Sequence, residues 1–170
     1  PSSFVLRPSL ICLFLALGLG FPRLAFAAEP APAAVQTTEL APETERAIEN
    51  GLQFLVKRQN ADGSWGGKYR IASTSLGLMA FMLKGHFPED GQYGERLDKA
   101  VVFLTKQANE TGGYMGVNMY EHGLATLALS EVWGMSQRDE VRDVLKRAVG
   151  VILRAQSPQG GWRYQPRPID

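Results

Sequence analysis

GLQFLVKRQNADGSW (51–65), AVVFLTKQANETGGY (100–114) and AVGVILRAQSPQGGW (148–162) are three versions of one pattern. Each has a small residue, apolar residues at helical spacing, a Gln where the helix should stop, and a Gly two residues before an aromatic. The first and third align without a gap: Gln59 and Gln156, Gly63 and Gly160, and Trp65 and Trp162 are each 97 residues apart. The middle copy divides that interval, with Gln107, Gly112 and Tyr114 as its landmarks, 49 residues from Trp65 to Tyr114 and 48 from Tyr114 to Trp162. Self-similarity at a fixed period of this length is the signature of a stacked repeat architecture.

A second helix recurs between these landmarks. Thr74–Phe81 (TSLGLMAF) matches Tyr120–Leu127 (YEHGLATL), which places Gly77 and Gly123 in register. The 3.6-residue period predicts first helices over 44–59, 94–107 and 137–156, and second helices over 74–84 and 118–133. Asn118 with Glu121 three residues on reads as a capping box, and Ser136 with Asp139 as a weaker one. Gly85 and Gly134 sit where helix C-caps are expected. No stretch alternates with period two for long enough to make a strand, so the fold class is all-α.

A helix pair cannot bury its apolar faces alone, so the units must stack. Helices 44–59 and 74–84 should pair, as should 94–107 and 118–133, with Trp65, Tyr114 and Trp162 in equivalent turns. The stripe Val141, Val144, Leu145, Ala148, Val149, Ile152 and Leu153 on the third first-helix needs a further helix to cover it. By the repeat's arithmetic that helix starts just past Asp170, so the chain, which begins at Pro1, is read as a fragment. Replacing Trp162 by Ala in a complete ring is expected to cost about 3–5 kcal/mol.

The ends differ from the repeats. Leu10–Phe21 is apolar, follows Arg7 and leads to Ala25-Phe26-Ala27, so residues 1–27 read as a signal peptide cleaved after Ala27. About 12 apolar residues fall short of the roughly 20 a bilayer span needs. The protein is therefore expected to be exported, periplasmic or on the cell surface, with membrane contact only through the signal segment. Cleavage removes Cys12, the only cysteine, and with it any disulfide or thiolate ligand. Residues 28–43, rich in Ala and Pro, read as a linker, and 44–170 as a repeat domain with units 44–93, 94–136 and 137–170. Eighteen basic and 17 acidic side chains leave a net charge of +1, which gives no footprint for nucleic acid.

The Gln-x3-Gly-x-Trp of Gln59, Gly63 and Trp65, repeated at Gln156, Gly160 and Trp162, resembles the Gln-Trp motif of squalene and oxidosqualene cyclases. Four residues separate Phe54 from Gln59 and Val151 from Gln156, where that family has three; the middle copy keeps three but has Tyr114 in place of Trp. Met119–Leu129 with Glu131, and Gly160–Pro166, are similar to exported bacterial proteins that carry prenyltransferase and squalene oxidase repeats. The resemblance implies an α/α toroid, two concentric layers of helices around a cavity, here an incomplete ring. In such a joint the Gln amide satisfies orphan helix-end groups, Gly supplies a left-handed backbone and Trp covers the seam. These residues are read as structural.

The catalytic signatures of that superfamily are missing from this sequence. There is no Asp-x-Asp-Asp, the acid that protonates an alkene or epoxide, no Cys-Gly-Glu-Gln thioester, and no Asp, Cys and His set for zinc, since only His86 and His122 accompany the lost cysteine. No catalytic residue, metal or cofactor is assigned. The candidate cavity-lining residues are Tyr120, Glu121 and His122, at the start of the second unit's inner helix, with Tyr69-Arg70 and Arg163-Tyr164 after the two Trp turns. A carboxylate beside an imidazole can act as an acid/base or ligand pair; equally, Glu121 can cap its helix while His122 bonds a neighbouring loop. Two functions follow: a toroid that binds a ligand or protein partner in its cavity, and a terpenoid cyclase whose acid motif lies beyond Asp170.

Overall fold

A computed structural model describes residues 40–166, and the signal peptide and most of the linker expected above lie outside the described residues. Five helices follow in order: α1 (Pro42–Arg58), α2 (Arg70–Leu83), α3 (Gly94–Glu110), α4 (Met119–Ser136) and α5 (Asp139–Ala155). No strand occurs among the described residues. The protein is all-α. α2 and α4 share the most extensive helix–helix contact, α3 packs against both, and α5 packs on α4 and α3.

The core runs through every helix: Leu52 of α1, Leu78 and Phe81 of α2, Leu97, Val101 and Leu104 of α3, Leu129 and Val132 of α4, and Val141, Val144 and Ala148 of α5. Burial of this kind, at about 25 cal/mol per Å² of apolar surface, is what holds short helices that would be marginal alone.

Helix boundaries follow local chemistry. α1 begins two residues before the expected position, inside the assigned linker, because Pro42 fits the first helical turn and Glu43 and Glu45 complement the helix dipole there. It ends as expected, with Gln59 as its C-cap. α2 starts at Arg70 rather than 74, since Ile71 and Ala72 are already buried against the core. Its end is a Schellman motif: Gly85, at φ +86°, donates to the Met82 carbonyl (2.9 Å) and His86 to that of Phe81 (3.0 Å).

The C-cap expected at Gly134 does not form. Gly134 lies inside α4, which runs on to Ser136 and is closed by Gln137 in the left-handed region (φ 54°). Ser136 caps nothing; its hydroxyl donates back to the Val132 carbonyl (2.8 Å), and α5 starts after Arg138 with no side-chain cap.

The joints repeat in atomic detail between the first and third units. Gln59 and Gln156 are both helix C-caps in nearly identical extended backbone conformations. Gln59 Nε2 donates to Gly63 O and Gln156 Nε2 to Gly160 O, each at 2.9 Å. Trp65 Nε1 donates to Leu55 O and Trp162 Nε1 to Ile152 O, each at 2.8 Å. Gly63 and Gly160 have φ of 88° and 85°. The first joint also clamps its neighbour unit, because Gln59 Nε2 donates to the Arg96 carbonyl of α3 (2.8 Å).

The middle joint departs from the expected register. α3 runs to Glu110, so Gln107 stays inside the helix and donates to Glu110 instead of closing the turn, while Thr111 is the C-cap. The glycine pressed against the next unit is Gly113, not Gly112. A Cβ on Gly63 would stand 2.3 Å from the Lys99 carbonyl oxygen, and one on Gly113 would stand 2.6 Å from Arg147 Cβ, 48 residues later. Met115, fully buried, therefore takes the place of Trp65, and Tyr114 is displaced to a half-buried position beside it.

Candidate functional site

The same 48-residue offset relates the second helices of the first two units, α2 and α4. The Trp65 N–H donates to Thr74 Oγ1 (2.9 Å), and the Met115 N–H donates to His122 Nδ1 (3.2 Å). Thr74 and His122 are thus the equivalent pair, and the alignment of Gly77 with Gly123 is two residues out. The space around the glycines agrees: a Cβ on Gly77 would stand 3.1 Å from the Trp65 ring, whereas nothing lies within 4 Å of one on Gly123.

This role removes His122 from the cavity lining. It is fully buried; since Nδ1 accepts from Met115, Nε2 carries the proton and donates to the Ala148 carbonyl of α5 (3.0 Å). Burial pulls its pKa below the ordinary value of 6.5, against the opposing influence of the Ala148 bond. Tyr114, whose ring centroid is 5.2 Å away, has its own pKa raised by burial and by the Glu121 charge.

The buried imidazole makes stability depend on pH. As pH falls through about 6.5 the unfolded chain takes up a proton that the folded chain resists, so the unfolded state binds more protons and stability declines. Urea unfolding should show the wild type losing more stability between pH 7.5 and 5 than His122→Gln does. Equal losses would contradict the buried neutral imidazole.

Glu121 is also buried, at 3% exposure, and it joins two units. Its N–H donates to Asn118 Oδ1 (2.9 Å), so Asn118 caps α4 as expected. The carboxylate does not complete a capping box. It accepts instead from Val117 N (3.0 Å) and, across the repeat, from Ala72 N in the first turn of α2 (3.3 Å). Buried acceptors of this kind are costly to remove because the orphaned N–H groups lose their partners.

Arg70 turns away from Tyr69. It pairs with Asp62, donates to Ser64 Oγ through Nε (3.1 Å), and lies 5.0 Å over the Phe103 ring of α3. The Arg70 bond first, and then the Ser64 hydroxyl that donates to Asp62 Oδ1 (2.7 Å), hold the Asp62 carboxyl down to about 2. Arg70 is therefore a second clasp between the first turn and α3. Arg163 is exposed.

Four of the seven candidates do meet. Tyr69, Tyr120, Glu121 and Tyr164, with Ala72 and Asn118, line a pocket of about 350 Å³ at the N-terminal ends of α2 and α4. Tyr164 is held there by its carbonyl, which accepts from Met119 N (2.8 Å). The three tyrosines stay 49%, 66% and 77% exposed in chain order, so their rings form the rim and Glu121 the floor.

Sequence reasoning missed a second concavity between these helices. Farther along the same two helices Met79, Met82, Leu83, Leu127, Glu131 and Met135 line a groove of about 290 Å³. Leu76, Leu83, Leu127 and Met135 are all about half exposed or more. Their spacing of seven residues on α2 and eight on α4, two helical turns in each case, was the available signal. No group of three or more metal-ligating side chains occurs among the described residues.

No family model matches the chain. Among curated proteins it is similar to the lanosterol synthases of Mus musculus (29% identical over 135 residues), Homo sapiens (27% over 135) and Candida albicans (23% over 134). These matches cover 72%, 72% and 71% of this chain and 18% of each relative, so the chain spans less than a fifth of their length. The similarity supports the resemblance of its repeats to those of squalene-type cyclases.

Proposed function

We propose that this chain is part of an exported α/α-toroid protein that holds an apolar ligand, of isoprenoid or sterol type, against the α2–α4 face. The observation that carries the reading is the apolar stripe of Leu76, Leu83, Leu127 and Met135, capped at one end by the tyrosine-rimmed pocket. Exposed apolar surface that is contiguous and edged by polar groups marks a binding site rather than ordinary surface. In the resembled family the inner helices line the cavity, and α2 and α4 are the inner helices of this repeat. The absence of an Asp-x-Asp-Asp from the 170 residues favours binding over cyclisation within this part of the protein.

Similarity to lanosterol synthases favours a second reading, a terpenoid cyclase whose catalytic acid comes from another part of a longer polypeptide. In that case α2 and α4 supply cavity wall and the tyrosine faces stabilise positive charge. Both readings need the same apolar face. Calorimetric titration with a C15 isoprenoid alcohol should show saturable binding, and the double variant Leu83→Glu/Leu127→Glu should weaken it at least tenfold, since each leucine contributes about 1.5–3 kcal/mol on full burial. Unchanged affinity would refute the face, and conversion of a squalene-type substrate by the full-length protein would decide for the cyclase.

A further inference from the structure

Among the described residues, the Tyr114 hydroxyl is the one buried side-chain oxygen or nitrogen without a hydrogen-bond partner. A buried polar group left unmet costs stability, and native proteins rarely keep one without a use for it. The shifted register of the middle joint explains how it arises. Met115 fills the joint, so Tyr114 is turned aside to line a pocket of about 240 Å³ where Arg70 and Ile71 of α2 face Phe103 of α3. Glu121 lines the same pocket. Its two carboxylate oxygens accept one backbone N–H each, from Ala72 and Val117, which leaves acceptor capacity on both. Gly116 packs tightly on this carboxylate, since a Cβ there would stand 2.5 Å from Glu121 Cβ and 2.9 Å from Glu121 Oε2.

The pocket therefore combines a free donor with a fixed acceptor. Burial first, and then the Glu121 charge, raise the Tyr114 pKa, so the phenol keeps its proton. A charged ligand suits neither group. An anion meets Glu121, and the cations at the rim are already engaged, Arg70 with Asp62 and Lys68 over the Tyr69 ring at 5.2 Å. An ammonium cannot accept from Tyr114 and meets those same two cations. A hydroxyl group both accepts and donates, which satisfies Tyr114 and Glu121 together. We infer that this pocket binds a small neutral polyol of monosaccharide size, one hydroxyl of which accepts from Tyr114 and donates to Glu121. A single water would need only about 10–15 Å³ of the space. Glu121 alone is common to this pocket and the tyrosine-rimmed one, and the apolar groove shares no residue with it, so the site stands apart from the proposed ligand face.

The test is a titration of the ¹⁵N-labelled chain with glucose, galactose, mannose and myo-inositol, followed by the backbone amide resonances of Ala72, Gly116 and Val117. At least one of the four should shift them saturably. Glucuronate and glucosamine, which carry a charge on a comparable ring, should bind at least threefold more weakly than the best neutral ring. Tyr114→Phe removes one oxygen and keeps the ring. It should weaken binding about fivefold to tenfold while its melting temperature stays level or rises, because the hydroxyl had no partner to lose. Absence of a saturable shift with all four neutral probes would overturn the inference, as would tighter binding of either charged ring. A melting temperature clearly lowered by Tyr114→Phe would also overturn it, by showing the hydroxyl already bonded within the protein through a held water.

Discussion

Replacing Trp65 by Ala should destabilise the protein by about 3–5 kcal/mol, the range for removing a large buried aromatic. Three losses combine. The indole is 3% exposed and fills the space between α1 and α2; its N–H is the partner of the Leu55 carbonyl at 2.8 Å; and its ring stacks on Phe81. Gly77 brings the α2 backbone against one face, so the cavity left behind cannot close by side-chain rearrangement alone. Against a typical total stability of 5–15 kcal/mol this is a large fraction. Trp65→Phe should lose less, because stacking on Phe81 survives while the bond to Leu55 does not. Trp162→Ala, expected from the sequence to be equally severe in a complete ring, should cost less than half as much in this chain, since Trp162 is 50% exposed and lacks the covering helix. Urea unfolding monitored by circular dichroism measures all three, and a loss below about 1 kcal/mol for Trp65→Ala would mean that the indole does not hold the joint.

The repeat and its helices were legible because they rest on spacing alone. Gln59, Gly63 and Trp65 recur at an interval of 97, and the joint built on them recurs down to its hydrogen bonds. The middle joint was misread because a continuing α3 is invisible in a motif alignment. Two adjacent glycines, Gly112 and Gly113, can each serve as the turn glycine, and only the closeness of Arg147 selects the second. Matching Gly77 with Gly123 failed for a related reason. Sequence similarity paired two glycines, while the shared task, accepting the N–H of the turn residue, falls to Thr74 and His122, side chains with nothing in common but an acceptor atom.

The candidate site was legible in part. Tyr69, Tyr120, Glu121 and Tyr164 meet because helix starts in successive units stand side by side. His122 and Arg70, polar residues that sequence order places next to these tyrosines, are turned into the joints by partners distant in the chain: Ala148 for one and Phe103 for the other. Adjacent residues on a helix point about 100° apart, so a run of chemically suggestive neighbours cannot all face one cavity. The apolar groove farther along α2 and α4 went unread because Leu83 and Met135 look like core residues until the packing shows which faces are covered.

One glycine joint recurs in the three units and is clamped by the first helix of the next unit at Gly63 and Gly113, but not at Gly160. The unfolding free energies of Gly63→Ala, Gly113→Ala and Gly160→Ala, compared in urea, separate a clamped turn from an open one. All three glycines have positive φ, 88°, 109° and 85°, so each alanine carries a backbone cost of roughly 1 kcal/mol or more. At Gly63 and Gly113 the new methyl group also meets the following helix, 2.3 Å from Lys99 O and 2.9 Å from the Arg147 carbonyl carbon, and a backbone cannot swing aside as a side-chain end can. Overpacking adds about 1–3 kcal/mol there. At Gly160 the nearest atom, Gln156 Nε2, is 3.9 Å away. The expected losses are about 3 kcal/mol or more at Gly63, slightly less at Gly113, and only about 1 kcal/mol at Gly160. Equal losses at all three, or the greatest loss at Gly160, would contradict the clamp.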